Sequence, residues 1–412
     1  MATTYLTKTL GTPTENKKWT LSVWCKRSSL AAVQTIFSAG ASSTDTMSFS
    51  SSGIFNFYVN AGNSGRFASN RLFRDTSSWY NVILAADSTQ STAANRMKLY
   101  INGVQETSFS NATYPSVNYS WKINSAVNHS FGGYSESSSG DFWDGSMSYV
   151  SFVDGTQELP GIFGETDSTT GEWKIKTTIT PSVAWGNNGF LILKNGNSLT
   201  DESSNSNNFT LAGGTLTNTK DCPDNVFATF NPLDTFYTTP TFTNGNTTLE
   251  LNPSGSKDTY VPTTLGMTSG KYYTEAKFIS GVAYTYIGIT DKPATASKIL
   301  GDFTNSVRLR GDDGTTRINN VASTTLTSFT TNDIIGIAVD LTNLKIYYSK
   351  NGVWMNSANP SSGTGGLTIT APDGAYFFAW QCNSGSSVCK YSWNFGNGTF
   401  GTTAVSSAGT NA

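Results

Sequence analysis

His129 is the single histidine of the chain, and that removes much side-chain chemistry at once. A Ser-His-Asp triad needs a histidine between a nucleophile and an acid, and histidine-based metal sites need several ligands in register. In "VNHSFGG" (127–133) nothing of that kind surrounds it, so it reads as a loop or strand residue. Glycoside hydrolysis on a β-sandwich needs two carboxyls about 5–10 Å apart across a cleft. Glu165, Asp167 and Glu172 cluster in a polar stretch, where solvated charge is the simpler reading. Glu275, in "YYTEAKF", is the one acid inside a strong strand pattern, and no acid stands two residues from it. Arg310-Gly311-Asp312 spells an adhesion tripeptide, but "RGDDG" is also ordinary turn composition. No catalytic residue is assigned.

The same inventory limits metals and thiols. Asp87 ends a strand pattern, and Asp141 and Asp144 flank "FW" (142–143); they are weak calcium candidates because they form no contiguous ligand loop. Cys25, Cys222, Cys382 and Cys389 contain no CxxC spacing. A bridge between Cys382 and Cys389 across a hairpin is conceivable, and four reduced, mostly buried thiols is the simpler expectation. No cofactor is expected.

Composition narrows the partners. Charged residues are 13% of the chain and aromatics also 13%, with a net charge of −2. Without runs of Lys or Arg there is no footprint for phosphate neutralisation, so neither nucleic acid nor an anionic membrane surface is an expected partner. No apolar run reaches the roughly 20 residues that would span a bilayer as a helix. The start "MATTYLTKTLGT" lacks the basic and apolar regions of a signal peptide, so no Sec export is expected.

The elements that must position any site are strands. "WTLSVWCKR" (19–27), "IFNFYVN" (54–60), "WYNVILAAD" (79–87), "SMSYVSFVDG" (146–155), "YYTEAKFI" (272–279), "DIIGIAVD" (333–340) and "AYFFAWQC" (375–382) alternate with period two and are bounded by turn formers. "MKLYINGVQ" (97–105) and "LKIYYSKNGVW" (344–354) each run into Asn-Gly, the strongest short hairpin signal, because a type I′ turn needs positive φ at both central residues. "FLILKNGN" (190–197) is a weaker third copy. The chain therefore reads as all-β, with two antiparallel sandwiches over 1–165 and 241–402. A β-containing connector spans 166–240, a one-turn helix is expected in the loop near 159–165, and 403–412 is a tail.

Several of these stretches carry a resemblance. "KKWTLSVWCKRS" (17–28), "IFSAG" (36–40), "WYNVILAAD", "MKLYINGVQ" and "FWDGSMSYVSFVDG" (142–155) resemble a laminin-G-like, concanavalin-type jelly roll across about 1–160. "SGKYYTEAKF" (269–278), "YIGIT" (286–290), "RLRGDDG" (308–314), "NDIIGIAVDLTNLKIYYSKNGVW" (332–354) and "WNFGNGTF" (393–400) resemble a SPRY domain across about 245–402. That order of domains is similar to virion proteins of tailed bacteriophages, especially marine ones. The resemblance implies a non-enzymatic virion surface protein that docks on the particle and presents a binding surface for a host glycan or surface protein. It would be a homo-oligomer among other virion proteins, made in the host cytoplasm. Capsid decoration or a head fibre, and a carbohydrate-active enzyme, are the alternatives. Because SPRY partners bind loops at one end of the sandwich, the resemblance points to Arg308, Arg310, Asn351 and Trp354. Trp143, in a loop bounded by Gly and Asp, is the matching candidate in the first domain.

Overall fold

The computed structural model describes residues 3–41, 44–134, 141–252, 258–281, 284–292, 299–383 and 388–405. It is all-β, with short 3-10 turns such as Pro160–Ile162, and it divides into two compact units. The first holds residues 1–218 and 222–226, the second 219–221 and 227–412. Each unit packs an eight-stranded antiparallel sheet and a six-stranded one around its own hydrophobic core.

In the first unit the eight-stranded sheet runs, in spatial order, Phe109–Thr113, Gly65–Leu72, Ile54–Val59, Asp45–Phe49, Gln34–Ala39, Asn128–Phe131, Tyr5–Thr9 and Thr210–Gly213. Its inward residues form a cross-strand row of Leu6, Phe131, Phe37, Met47, Phe57 and Phe67, all in the core. The six-stranded sheet runs Phe190–Ile192, Gly145–Asp154, Lys18–Arg27, Tyr80–Asp87, Met97–Ile101 and Val104–Glu106. Trp19, Leu21, Val23 and Cys25 point from its central strand into the same core.

Simple alternation would leave the other face of this sheet in water. Instead every residue of Lys18–Arg27 but the first is buried. The stretch 158–185 wraps across that face. Phe163 and Ile179 cover Ile83, Ala85, Tyr100 and Val153, and Ile175 with Trp173 covers Trp24 and Trp79. The wrap is fixed at several points. The Glu158 carboxylate accepts from the backbone N–H and hydroxyl of Ser182, both at 2.8 Å, and the Trp173 indole donates to Asn81 at 3.1 Å. The expected connector over 166–240 is therefore not a separate body. Trp173, Ile175 and Ile179 bury against the first unit's sheet, Phe190–Ile192 pairs with Gly145–Asp154, Thr210–Gly213 pairs with Tyr5–Thr9, and Phe230 joins the second unit's core.

The second unit's eight-stranded sheet follows the path Thr241–Thr243, Thr248–Leu251, Cys389–Asn394, Lys271–Ser280, Ile334–Asp340, Lys345–Lys350 and Val353–Trp354, with Leu367–Thr368 also on Lys345–Lys350. Its six-stranded sheet runs Asp258–Pro262, Phe377–Asn383, Thr285–Thr290, Ser306–Arg310, Thr316–Ile318 and Val321–Ala322. The last long strand lies inside its sheet, and a small hairpin, Thr399–Phe400 with Thr403–Ala404, follows it. None of the four cysteines is joined in a disulfide, and three of them are buried.

The two Asn-Gly hairpins have different surroundings. Both glycines have positive φ, 77° at Gly103 and 82° at Gly352. A Cβ on Gly103 would overlap the ring of Trp173, whereas a Cβ on Gly352 would meet nothing within 4 Å. Alanine at either site carries the strain of a left-handed backbone, about 1 kcal/mol, and only at Gly103 does it also displace the wrap. Chemical denaturation should therefore show Gly103→Ala losing about 2–4 kcal/mol and Gly352→Ala about 1 kcal/mol. Equal losses would mean that Trp173 does not hold the hairpin.

Candidate functional site

The backbone brings Arg310 and Asn351 to one end of the second unit. Gly311 accepts from Phe329 N at 2.8 Å, and the same segment continues through Ser328, whose carbonyl accepts from Lys350 Nζ at 3.0 Å. It ends at Asp333, whose carboxylate accepts from Asn351 Nδ2 at 2.8 Å. Each of these polar side chains is already engaged within the unit. Arg310 donates through Nε and Nη2 to both oxygens of Asp312, at 2.5 and 2.7 Å, and lies 4.3 Å over the ring of Tyr284. Its pKa is raised, chiefly by the hydrogen bond to Asp312. The tripeptide 310–312 is thus a self-closed turn. Asn351 Oδ1 accepts from Ile334 N at 2.8 Å, which ties the hairpin to the start of the neighbouring strand. Arg308 is 7% exposed, stacked 4.6 Å over Tyr286 and donating to the Leu300 carbonyl.

Trp354 stands on the outer face of the eight-stranded sheet. Its ring lies 6.3 Å from Tyr273 and 6.5 Å from Tyr347. Glu275 shares that face and accepts from Tyr273 Oη at 3.1 Å and Asn394 Nδ2 at 3.2 Å. Trp143, expected at a rim, is 6% exposed and packs 6.2 Å from Phe49; burial takes it out of reach of a ligand.

The calcium candidates stay apart. Asp87 closes its own turn, accepting from Thr89 N, Thr89 Oγ1 and Gln90 Nε2 at 3.0, 2.6 and 2.7 Å. The Asp141 carbonyl accepts from Thr35 N at 2.7 Å, and burial pushes the Asp144 carboxyl up. Among the described residues no three His, Cys, Asp or Glu side chains form a group that could hold a metal ion.

A different surface emerges on the outer face of the first unit's eight-stranded sheet. One residue over from the apolar row lies a polar one: Thr210, Thr7, Ser130, Ser38, Thr46, Tyr58, Arg66 and Thr113, paired strand to strand. Strand periodicity dictates the switch, because adjacent residues point to opposite faces. The middle of the row is closed over: Ser38 and Ser130 are buried, and Ser38 Oγ donates to the Gly133 carbonyl at 3.2 Å. Near the far end Tyr58 and Arg66 are half-buried. The guanidinium lies 4.8 Å over the Tyr58 ring. Its Nη2 donates to Asn56 Oδ1 and Tyr58 Oη, both at a long 3.3 Å, and its Nε is buried without a partner. Burial, and after it the neighbouring carboxylate of Asp141, raise the pKa of the Tyr134 hydroxyl.

Sequence reasoning missed this group. "IFNFYVN" shows Asn56 and Tyr58 on one face, but nothing local says that Arg66 stands opposite. That pairing depends on the connection at 60–64, where Asn60, Ala61 and Gly62 all have positive φ, and such a turn has no short signature.

Residues 2–158 match the family model described as Concanavalin A-like lectin/glucanases superfamily, less than half of the chain. Among solved structures, the SPRY domain of human HERC1 is similar to 40% of this chain over 98% of its own length, at 19% identity and a TM-score of 0.34. A human SPRY domain is similar over 36% of this chain and 92% of its own, at 19% identity and a TM-score of 0.30. Stonustoxin is similar over 41% of this chain and 27% of its own, at 20% identity and a TM-score of 0.31. No curated protein matches the chain.

His129 sits at the buried side of the same sheet. Its Nδ1 bonds the Val127 carbonyl at 2.8 Å, which places the ring proton there and leaves Nε2 buried and unpartnered. Burial lowers its pKa to about 4. Between pH 6.5 and about 4 the unfolded chain takes up a proton that the folded one refuses, so stability falls with pH across that window, by up to about 3 kcal/mol. Denaturation midpoints measured from pH 7 to 4 should lose that part of their slope in His129→Gln; an unchanged slope would assign it to other groups.

Proposed function

We propose that this chain is a non-catalytic binding protein of a tailed-phage virion surface, and that it holds a host glycan on the outer face of the first unit's eight-stranded sheet. The observation that carries the reading is the Tyr58–Arg66–Asn56 group at the open end of the polar row. A sugar offers an apolar C–H face and a fan of hydroxyls. An aromatic ring held by a guanidinium complements both, and the buried Asn56 amide beneath them accepts from each and fixes their positions. The likeness of residues 2–158 to a lectin and glucanase superfamily agrees with a sugar-binding role.

The non-catalytic reading is supported by how acids are used. Asp154 and Asp201 are buried and accept from backbone N–H groups, and Glu275 is tied to a tyrosine and an asparagine. The placement on a phage particle, beside other virion proteins and as a homo-oligomer, rests on the sequence resemblance to such proteins.

Glycan-array binding by the full chain is the direct test. Tyr58→Ala should weaken any captured glycan by about tenfold or more while leaving the thermal midpoint close to that of the parent, because Tyr58 lies outside the core. Unchanged binding would move the site elsewhere. Immunogold labelling of phage particles tests the location: an unlabelled particle ends the virion assignment.

A further inference from the structure

We infer that the ligand of this face is anionic, an acidic saccharide whose carboxylate or sulfate meets Arg66. This rests on the glycan reading above and names its chemical class. The chain has eight arginines. Arg71, Arg308, Arg310 and Arg317 pair with carboxylates. Arg27, Arg74 and Arg96 donate to backbone carbonyls, Arg27 from full burial and Arg96 through three bonds of 2.8 Å. Arg66 has neither. Its only hydrogen-bond acceptors among the described residues are a neutral amide and a phenol at 3.3 Å, beyond the usual range for N–H···O bonds.

Arg66 is also the sole charge in its eight-strand row. The acids on packed elements are engaged. Asp45, on the next strand but one, is buried and accepts from the N–H groups of Asn60, Lys122 and Ile123 at 2.8, 2.9 and 3.1 Å. Asp141 is bonded to the Tyr134 hydroxyl. The cation is therefore held in place by Tyr58 yet not neutralised by the described residues. Its Nη1 has no partner among them. A guanidinium presents donors in a planar fork that matches a carboxylate or sulfate, and bonds between charged partners are about twice as strong as neutral ones. A sugar bearing such a group would replace two long neutral bonds with charge-assisted ones while its ring meets Tyr58.

The test uses the full chain on an array that carries uronate, sialate and sulfate glycans beside their neutral counterparts, with the carboxyl-reduced form of each bound uronate. Acidic forms should bind about tenfold or more tightly than neutral ones. Raising salt should weaken them, because an exposed charge pair is screened. Arg66→Gln should bring the ratio of acidic to neutral binding to about one, whatever it costs the binding of both, since the same guanidinium also holds Tyr58. Should that variant unfold, Arg66→Lys keeps the charge without the fork and should retain only part of the preference. Equal binding of acidic and neutral forms, sensitive to Tyr58→Ala, would overturn the anionic inference and leave the glycan reading standing. Binding of no glycan would overturn both. Inorganic sulfate or acetate competing as well as the saccharide does on a molar basis would reduce the site to an anion site and overturn the saccharide assignment.

Discussion

The carboxylate of Asp154 is the point on which the first unit turns. It ends the strand Gly145–Asp154 and is 2% exposed. One oxygen accepts from Thr14 N at 2.6 Å and Asn188 N at 3.1 Å, the other from Glu15 N at 3.2 Å and Asn124 Nδ2 at 2.7 Å. Asn188 in turn bonds both Gly11 and Asn124. Three segments distant in sequence are tied to one charge: the approach to the first long strand, the loop before Asn128–Phe131, and the chain leaving the wrap. A buried carboxylate is stable only when donors meet its oxygens, and removing them would leave a charge that burial disfavours. Through these contacts a strand end of the six-stranded sheet is tied to the loops that lead out of Tyr5–Thr9 and into Asn128–Phe131 of the eight-stranded one.

The strand order of the eight-stranded sheet creates the candidate site. Seven cross-strand pairings place Tyr58 and Arg66 at one end of a polar row and put Phe57 and Phe67, their neighbours in sequence, into the core. Slipping any strand by one residue would exchange the two rows. The register is therefore held by the hydrophobic cost of exposing phenylalanines, and the polar face inherits its arrangement from that cost. The end of the second unit that carries Arg310 and Asn351 is organised by Asp312 and Asp333, which makes it a rigid surface with its donors already engaged.

The hairpins illustrate how far local chemistry reaches. Asn102-Gly103 and Asn351-Gly352 are recognisable from two residues, because only small or amide side chains accept a left-handed backbone readily. That Gly103 carries Trp173 while Gly352 faces open space depends on a wrap some 70 residues away in the sequence. The wrap itself was hard to foresee. "GEWKIKTTIT" is polar on average and lacks a long alternation, and its few apolar residues, Trp173, Ile175 and Ile179, matter only because a sheet face waits beneath them. Trp143 failed as a rim aromatic for the converse reason: glycines and aspartates around it describe its backbone and leave the direction of its ring undetermined.

Period-two alternation, turn residues and scarce charge were enough to determine an all-β chain with two sandwiches, because each of these signals acts over a few residues. The single histidine and the scattered acids likewise limit the available chemistry from the sequence alone. The tertiary structure alone decided what covers each sheet face, which arginines have acids, and that Tyr58 faces Arg66. Those outcomes depend on contacts between residues far apart in the chain, where register and burial choose the partners and composition is silent.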